Sequence, residues 1–268
     1  MNEIAKQLLI CLVASHFIGD FIFQSDKDAS NKLRPLILLK HSLIVAILSY
    51  VLCGVWTQWR IPLVIFCTHP VIDWIKEKAV KREGFSNKWS IYAFLIDQAA
   101  HIFIIIMLAI TITTVSTAAG TGANAISLFW VELFGKGFLK LLIVISGAIL
   151  AVKAGGVLIG MAVRPFLNEI KDNENDVAIK TKTSGRGLKN GGKVIGQLER
   201  SLIFLFILMG QLSGIGFLIA AKSVFRFGEV KDPRHRMEAE YIIIGTLMSF
   251  GYGMLIAYAT KFFVGLIK

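Results

Sequence analysis

The chain has 268 residues, 55% of them hydrophobic and only 18% charged, with a mean hydropathy of +0.66. Soluble domains carry about 25% charged and about 45–50% apolar residues, so this composition excludes an ordinary soluble domain and points to a membrane. The net charge of +11 raises nucleic-acid binding as an alternative; the basic residues lie in loops between apolar runs, which sets that class aside.

A membrane-crossing helix needs about 20 mostly apolar residues. In chain order the candidates are 5–24, 34–54, 60–76, 90–114, 137–162, 200–221 and 240–266. The expected fold is all-α, a polytopic transmembrane helical bundle of about seven spans. It divides into a four-helix bundle over 1–115 and a C-terminal membrane region over 116–268, with a polar cytoplasmic segment at about 168–198. The first run passes through His16 to Asp20 without a small-residue cleavage site, so it reads as a helix rather than a signal peptide. The third run is short and holds Pro62 and Pro70. Pro70 has no amide proton and crowds the preceding turn, so a kink beside His69 is expected. Trp56, Trp59, Trp74 and Trp89 sit near span ends, as interfacial aromatics do. Cys11, Cys53 and Cys67 have no metal-type spacing and read as small buried residues.

Basic residues mark the inner side of a membrane. Lys27, Lys32 and Arg34 precede the second span, Lys76, Lys78, Lys81, Arg82 and Lys88 the fourth, and eight basic residues lie in 163–200. None lies between 115 and 135. These counts place the first, third and fifth loops inside and the N-terminus outside. The five basic residues of Lys222 to Arg236 then fall on the outer side. Either the sixth candidate is a re-entrant hairpin hinged near Gly210 to Gly216, or that helix is not a span. The run Gly187 to Lys193 has the spacing of a phosphate-binding loop but lacks the following Ser or Thr and a preceding strand. It reads instead as a linker entering an amphipathic helix at the membrane surface.

The polar residues within the spans come in pairs. His16 and Asp20, His69 and Asp73, and Asp97 and His101 are each spaced i, i+4, which puts both side chains on one helical face. The second span adds His41. Counted from the inner ends, His16, His41, His69 and Asp97 all lie seven or eight residues in, about 10–12 Å deep at 1.5 Å per residue. Ionisable groups in a bilayer cost at least about 2.5–3.5 kcal/mol and face a bundle interior or wet cavity. Imidazoles and carboxylates together suit a divalent metal, zinc above all. His16, His41, His69, Asp73, Asp97 and His101 are the candidate ligands. Asp20, nearest the inner surface, is the candidate general base. Gln24, Ser15 and Thr68 are candidate outer donors. Two other readings compete: a hydrogen-bonded network that holds helices together, and a proton or ion pathway.

In the second half, Arg200, Lys222 and Arg226 could snorkel and pair at the interface, or hold lipid headgroup phosphates. Gly156-xxx-Gly160 and Gly210-xxx-Gly214 read as close helix contacts.

The strings HFIGDFIFQ at 16–24, NK at 31–32, His41, HPVID at 69–73 and DQAAH at 97–101, then GGKVIGQLERSL, AAKSVFRFGE and EYIIIGTLMS, run along nearly the whole chain. In this order they resemble a bacterial membrane-protein family known as domain of unknown function 3307. That resemblance implies a shared architecture in the bacterial cytoplasmic (inner) membrane and lends no activity. More loosely, the His/Asp pattern is similar to intramembrane metal-dependent hydrolases of lipids, whose motif order does not map residue by residue.

Three functions follow as expectations: a metal-dependent hydrolase of a lipid or lipid-linked substrate; an ion- or proton-coupled transporter; and a non-catalytic scaffold or sensor that recruits a cytosolic protein through 168–198. Membrane lipids are the expected partners in all three.

Overall fold

The computed structural model describes residues 2–81, 87–118, 127–176, 190–226 and 236–267, and among them there is no strand. Helix α1 (Glu3–Phe21) starts at Asn2, whose side chain accepts the Ala5 amide at 2.8 Å and so satisfies one orphan donor of the first turn. A short α2 (Asp26–Ser30) is capped in the same way by Ser25. Helix α3 (Pro35–Cys53) opens on a proline, whose missing amide costs nothing at that position, and stops at Gly54 in the left-handed conformation, φ 62°. Helices α4 (Arg60–Lys81) and α5 (Asn87–Ala118) follow, then α6 (Phe129–Phe134) and α7 (Lys136–Ile149). A π-helical turn, Leu150–Ala154, leads into α8 (Gly155–Asp176). The chain ends with α9 (Gly191–Leu208), α10 (Leu212–Arg226) and α11 (Arg236–Leu266).

Five segments are long and apolar enough to cross a membrane: Glu3–Phe21, Pro35–Cys53, Trp89–Val115, Lys136–Glu169 and Glu240–Leu266. Two of the seven expected spans are missing from this set, each for its own reason. Helix α4 carries His69, Asp73 and Pro70 and ends in Lys76, Glu77, Lys78 and Lys81, so it is too polar to count by composition, although it packs between α3 and α5. The sixth candidate is not one helix. Gly210, at φ 75°, ends α9: the Gln211 amide reaches Phe206 O at 2.8 Å and the Gly210 amide Ile207 O at 3.1 Å, the paired bonds of a Schellman stop. Helix α10 then runs back along α9 and brings Lys222 to 2.7 Å from Glu199. The segment from Lys222 onward therefore leaves from the end where α9 begins. The hairpin puts Lys222 at the end of α9 that carries Lys193, the side to which the charge count assigns 163–200.

The chain forms two compact units, Met1–Ile149 with Phe263–Lys268, and Leu150–Phe262. In the first, α3 shows why the bundle belongs in lipid. His41, Ser42, Val45, Ala46, Ser49 and Cys53 face inward, while Leu39, Leu43, Ile47 and Val51, one turn apart, are 42–52% exposed. Polar groups point in and leucines out, the reverse of a soluble helix. Ser42 and Ser49 return their hydroxyls to Leu38 O and Val45 O, so neither needs water. Cys11 and Cys53 are buried as expected, but Cys67 is exposed, on the outward face of α4.

Helices α1 and α3 cross closely at Gly19, where an added Cβ would stand 2.7 Å from Val45 Cγ2. This crossing sets Asp20 of α1 beside His41, one turn from Val45. Gly19→Ala is expected to destabilise the protein by about 1–3 kcal/mol through overpacking, and Gly19→Leu by more, read as loss of thermal stability in detergent.

In the second unit the π turn is held by Arg200. Its guanidinium donates to Ala151 O at 2.8 Å, Val152 O at 3.0 Å and Ser249 Oγ at 2.9 Å, and Tyr252 donates to Leu150 O at 3.1 Å. Carbonyls that the α-helical ladder leaves unpaired at a π bulge are thus met by side chains. Gly155, Gly156 and Gly196 make the slot, since a Cβ on any of them would press on the guanidinium at 3.1–3.3 Å. The Gly156-xxx-Gly160 pattern is therefore not a simple helix contact: Gly156 makes room for Arg200, and a Cβ at Gly160 would meet nothing within 4 Å. Of the second pair, Gly210 is the hinge, and Gly214 lies against the Phe206 ring.

Candidate metal centre

Four helices of the first unit each present one face of polar residues: His16 and Asp20 from α1, His41 from α3, His69 and Asp73 from α4, Asp97 and His101 from α5. All seven side chains are 0–8% exposed. Pro70 lies inside α4 beside His69, which frees the carbonyl one turn back from its helical bond.

The seven residues converge. His41 Nε2 and His69 Nε2 are 3.0 Å apart, and Asp20 Oδ1 lies 3.3 Å from the first and 3.4 Å from the second. Ligands about 2.0–2.1 Å from a tetrahedral zinc stand about 3.3–3.4 Å from one another. The triangle has the size of one face of such a tetrahedron. Asp73 Oδ2 is 3.5 Å from His69 Nε2 and 3.8 Å from His41 Nε2. Three groups, each with ligand atoms within 4.8 Å, overlap through shared members: His16, Asp20 and His69; His41, His69 and Asp73; Asp73, Asp97 and His101. These buried His/Asp groups can hold a metal ion.

Hydrogen bonding supports a cation. His101 Nδ1 lies 2.8 Å from Asp97 O. A carbonyl only accepts, so Nδ1 carries the proton and Nε2 keeps a lone pair, the tautomer a metal ligand needs. His101 Nε2, Asp20 Oδ1, Asp73 Oδ2 and Asp97 Oδ1 are buried with no hydrogen-bond partner among the described residues. Unmet buried acceptors of this kind are costly, and a divalent ion answers several at once. Against the apolar side, a cavity of about 10 Å³ lined by His16, His69, His101, Thr68 and Ile105 has the size for about one water.

Three residues that the sequence did not point to complete the centre. Lys32 reaches in from the turn after α2 and lies 2.6 Å from Asp73 Oδ1, with both side chains buried. Lys76 sits 3.4 Å from Glu77 and 3.7 Å from Asp97. Gln98 donates to Asp97 Oδ2 at 3.2 Å and Asp20 Oδ2 at 3.4 Å. The sequence places Lys32 in the inner-side charge count and in the NK string, and neither joins it to Asp73. With neutral imidazoles, Asp20, Asp73 and Asp97 set three negative charges against the two positive charges of Lys32 and Lys76, so the centre has room for added positive charge. Two expected outer donors are spent elsewhere: Ser15 donates to Cys11 O and Thr68 to Val64 O. The buried Gln24 Nε2 has no partner among the described residues.

The convergence of HFIGD, His41, HPVID and DQAAH at this centre meets one family. Residues 8–129 match the family described as protein of unknown function (DUF3307). The DUF3307 segment contains all seven residues of the centre together with Lys32, Lys76 and Gln98. The strings GGKVIGQLERSL, AAKSVFRFGE and EYIIIGTLMS lie beyond the residues that match DUF3307. No curated protein and no solved structure matches the chain.

Proposed function

We propose that this protein is a metal-dependent hydrolase of the bacterial cytoplasmic membrane, acting on a lipid or lipid-linked substrate. The observation that carries the reading is the triangle of His41 Nε2, His69 Nε2 and Asp20 Oδ1, with sides of 3.0, 3.3 and 3.4 Å. Two imidazoles and one carboxylate form a ligand set that leaves a coordination position open, as catalytic zinc sites do and structural ones do not. A bound zinc would supply an acidified water and polarise the scissile oxygen.

The residues divide the remaining work. Asp20, the candidate base by sequence, belongs by this geometry to the metal ligands. Asp97 is the carboxylate left to accept a proton, since its Oδ1 is buried with no hydrogen-bond partner among the described residues. Gln98 steadies Asp97 and Asp20 together. His16 and His101, whose rings stack with centroids 4.8 Å apart, close the deep side and exclude bulk water. Lys32 and Lys76, from the end expected to face the cytoplasm, would receive an anionic headgroup entering from the inner leaflet.

One observation favours ion- or proton-coupled transport as a second reading. The three metal-capable groups share His69 and Asp73, so titratable side chains form an unbroken row from His16 to Asp97. The scaffold reading draws on 168–198, of which 177–189 lies outside the described residues.

Metal analysis of the purified protein is the first test, followed by lipid turnover in detergent micelles with zinc restored, against ion flux in liposomes. Stoichiometric metal with zinc-dependent release of a water-soluble product is the expected result. Flux without turnover would move the assignment to transport, and no bound metal would remove the hydrolase reading.

A further inference from the structure

The second unit contains a cavity of about 350 Å³ that plays no part in the metal centre. Its charged lining is Lys193, Glu199, Arg200 and Lys222, joined by the hydroxyl residues Tyr241, Thr246 and Ser249, and its apolar wall includes Ile159, Val163 and Ile242. Glu199 is already paired with Lys222 at 2.7 Å. Arg200 is 3% exposed, and no carboxylate of the described residues forms an ion pair with it. A guanidinium has five N–H bonds, three of which go to Ala151 O, Val152 O and Ser249 Oγ. One N–H on each terminal nitrogen is left over. A buried cation between apolar helices is expensive unless an anion answers it.

The walls are built to admit a ligand. Gly156, Gly160, Gly192, Gly196 and Gly245 all line the cavity. A Cβ at Gly160 or Gly192 would meet nothing within 4 Å, so at these two positions the missing side chain leaves open space rather than relieving a helix contact. Gly192 and Lys193, which end the run that mimics a phosphate loop, open α9 on this wall.

We propose that this cavity binds a phosphate group. Arg200 and Lys222 supply charge-assisted donors and Ser249 a hydroxyl, a donor set suited to the several oxygens of a phosphate. The volume falls in the range of sites for small organic ligands, about 300–1,000 Å³, and Ile159, Val163 and Ile242 give an apolar tail its own wall. An anionic phospholipid headgroup and free phosphate share this chemistry. Arg226, grouped with these residues by sequence, has its side chain outside the described residues.

The test uses the full-length protein in a neutral detergent and follows retention of dihexanoyl phosphatidate, dihexanoylglycerol (the same tails without phosphate) and inorganic phosphate by native mass spectrometry. Two variants report on the site. Gly160→Leu fills the cavity at an open helical position where leucine is the better helix former, and Lys222→Gln removes one charge. One phosphatidate retained per chain, about tenfold weaker in Lys222→Gln as expected for a lost charge-assisted bond and weakened in Gly160→Leu by the filled volume, supports the proposal with lipid as the source. Retention of inorganic phosphate with the same sensitivity supports it with free phosphate as the source. Retention of neither, equal retention of dihexanoylglycerol, or binding that both variants leave unchanged would overturn it.

Discussion

Replacing His69 by alanine is expected to lower bound metal from one equivalent to background and to abolish turnover, while His16→Ala retains measurable metal. His69 lies in two of the three metal-capable groups, and its Nε2 is within 3.5 Å of His41, Asp20 and Asp73. In the proposed site its loss removes a direct ligand. His16 lies in only one of the three groups, approaches Asp20 at 3.7 Å and stacks on His101, so the proposed site gives it an orienting role. Loss of an orienting partner costs about 10–100-fold in metal affinity, and loss of a ligand exceeds that range. Metal titration followed by zinc analysis measures both variants, with circular dichroism confirming that the helices remain. Equal loss in the two variants would argue for a diffuse polar network rather than a centre.

Lys32→Met should destabilise the metal-free protein and tighten its hold on metal. The Lys32–Asp73 pair is buried at both ends, 3% and 0% exposed, with a 2.6 Å contact. Breaking a buried pair by removing one partner costs about 3–5 kcal/mol, because the other charge is left unanswered. Methionine keeps most of the length of the apolar stem, so packing is disturbed little. A divalent ion can then compensate Asp73 in place of the ammonium, so added zinc should recover much of the lost stability. Thermal unfolding in detergent with and without zinc gives both numbers. An unaltered melting temperature in the metal-free variant would mean that the ion pair is not formed in the membrane protein.

The centre was legible because the helical period is local. His16 and Asp20, or His69 and Asp73, are placed on one face by spacing alone, and equal depth on antiparallel helices follows from the rise per residue. What escaped the sequence depends on contacts between distant parts of the chain. Lys32 reads as one more inside charge until a turn 41 residues before Asp73 in sequence folds over it. The place of Asp20 Oδ1 between the His41 and His69 imidazoles is likewise hidden, because depth alone does not distinguish one carboxylate from the next. The break at Gly210 was flagged by charge, yet 200–221 is apolar enough to pass for one span. Only the left-handed glycine and the Glu199–Lys222 contact make it a hairpin. The role of Arg200 was hidden for the same reason, since carbonyls exposed by a π turn 48–49 residues earlier leave no trace in composition.

The most direct measurement of the account is zinc K-edge X-ray absorption on the purified, zinc-loaded protein. The triangle of His41, His69 and Asp20 predicts a shell of nitrogen and oxygen at about 2.0–2.1 Å with no sulfur, with outer scattering from two imidazoles that disappears in the His41→Ala/His69→Ala double variant. A spectrum without imidazole scattering, or zinc retained equally by that variant, would contradict it.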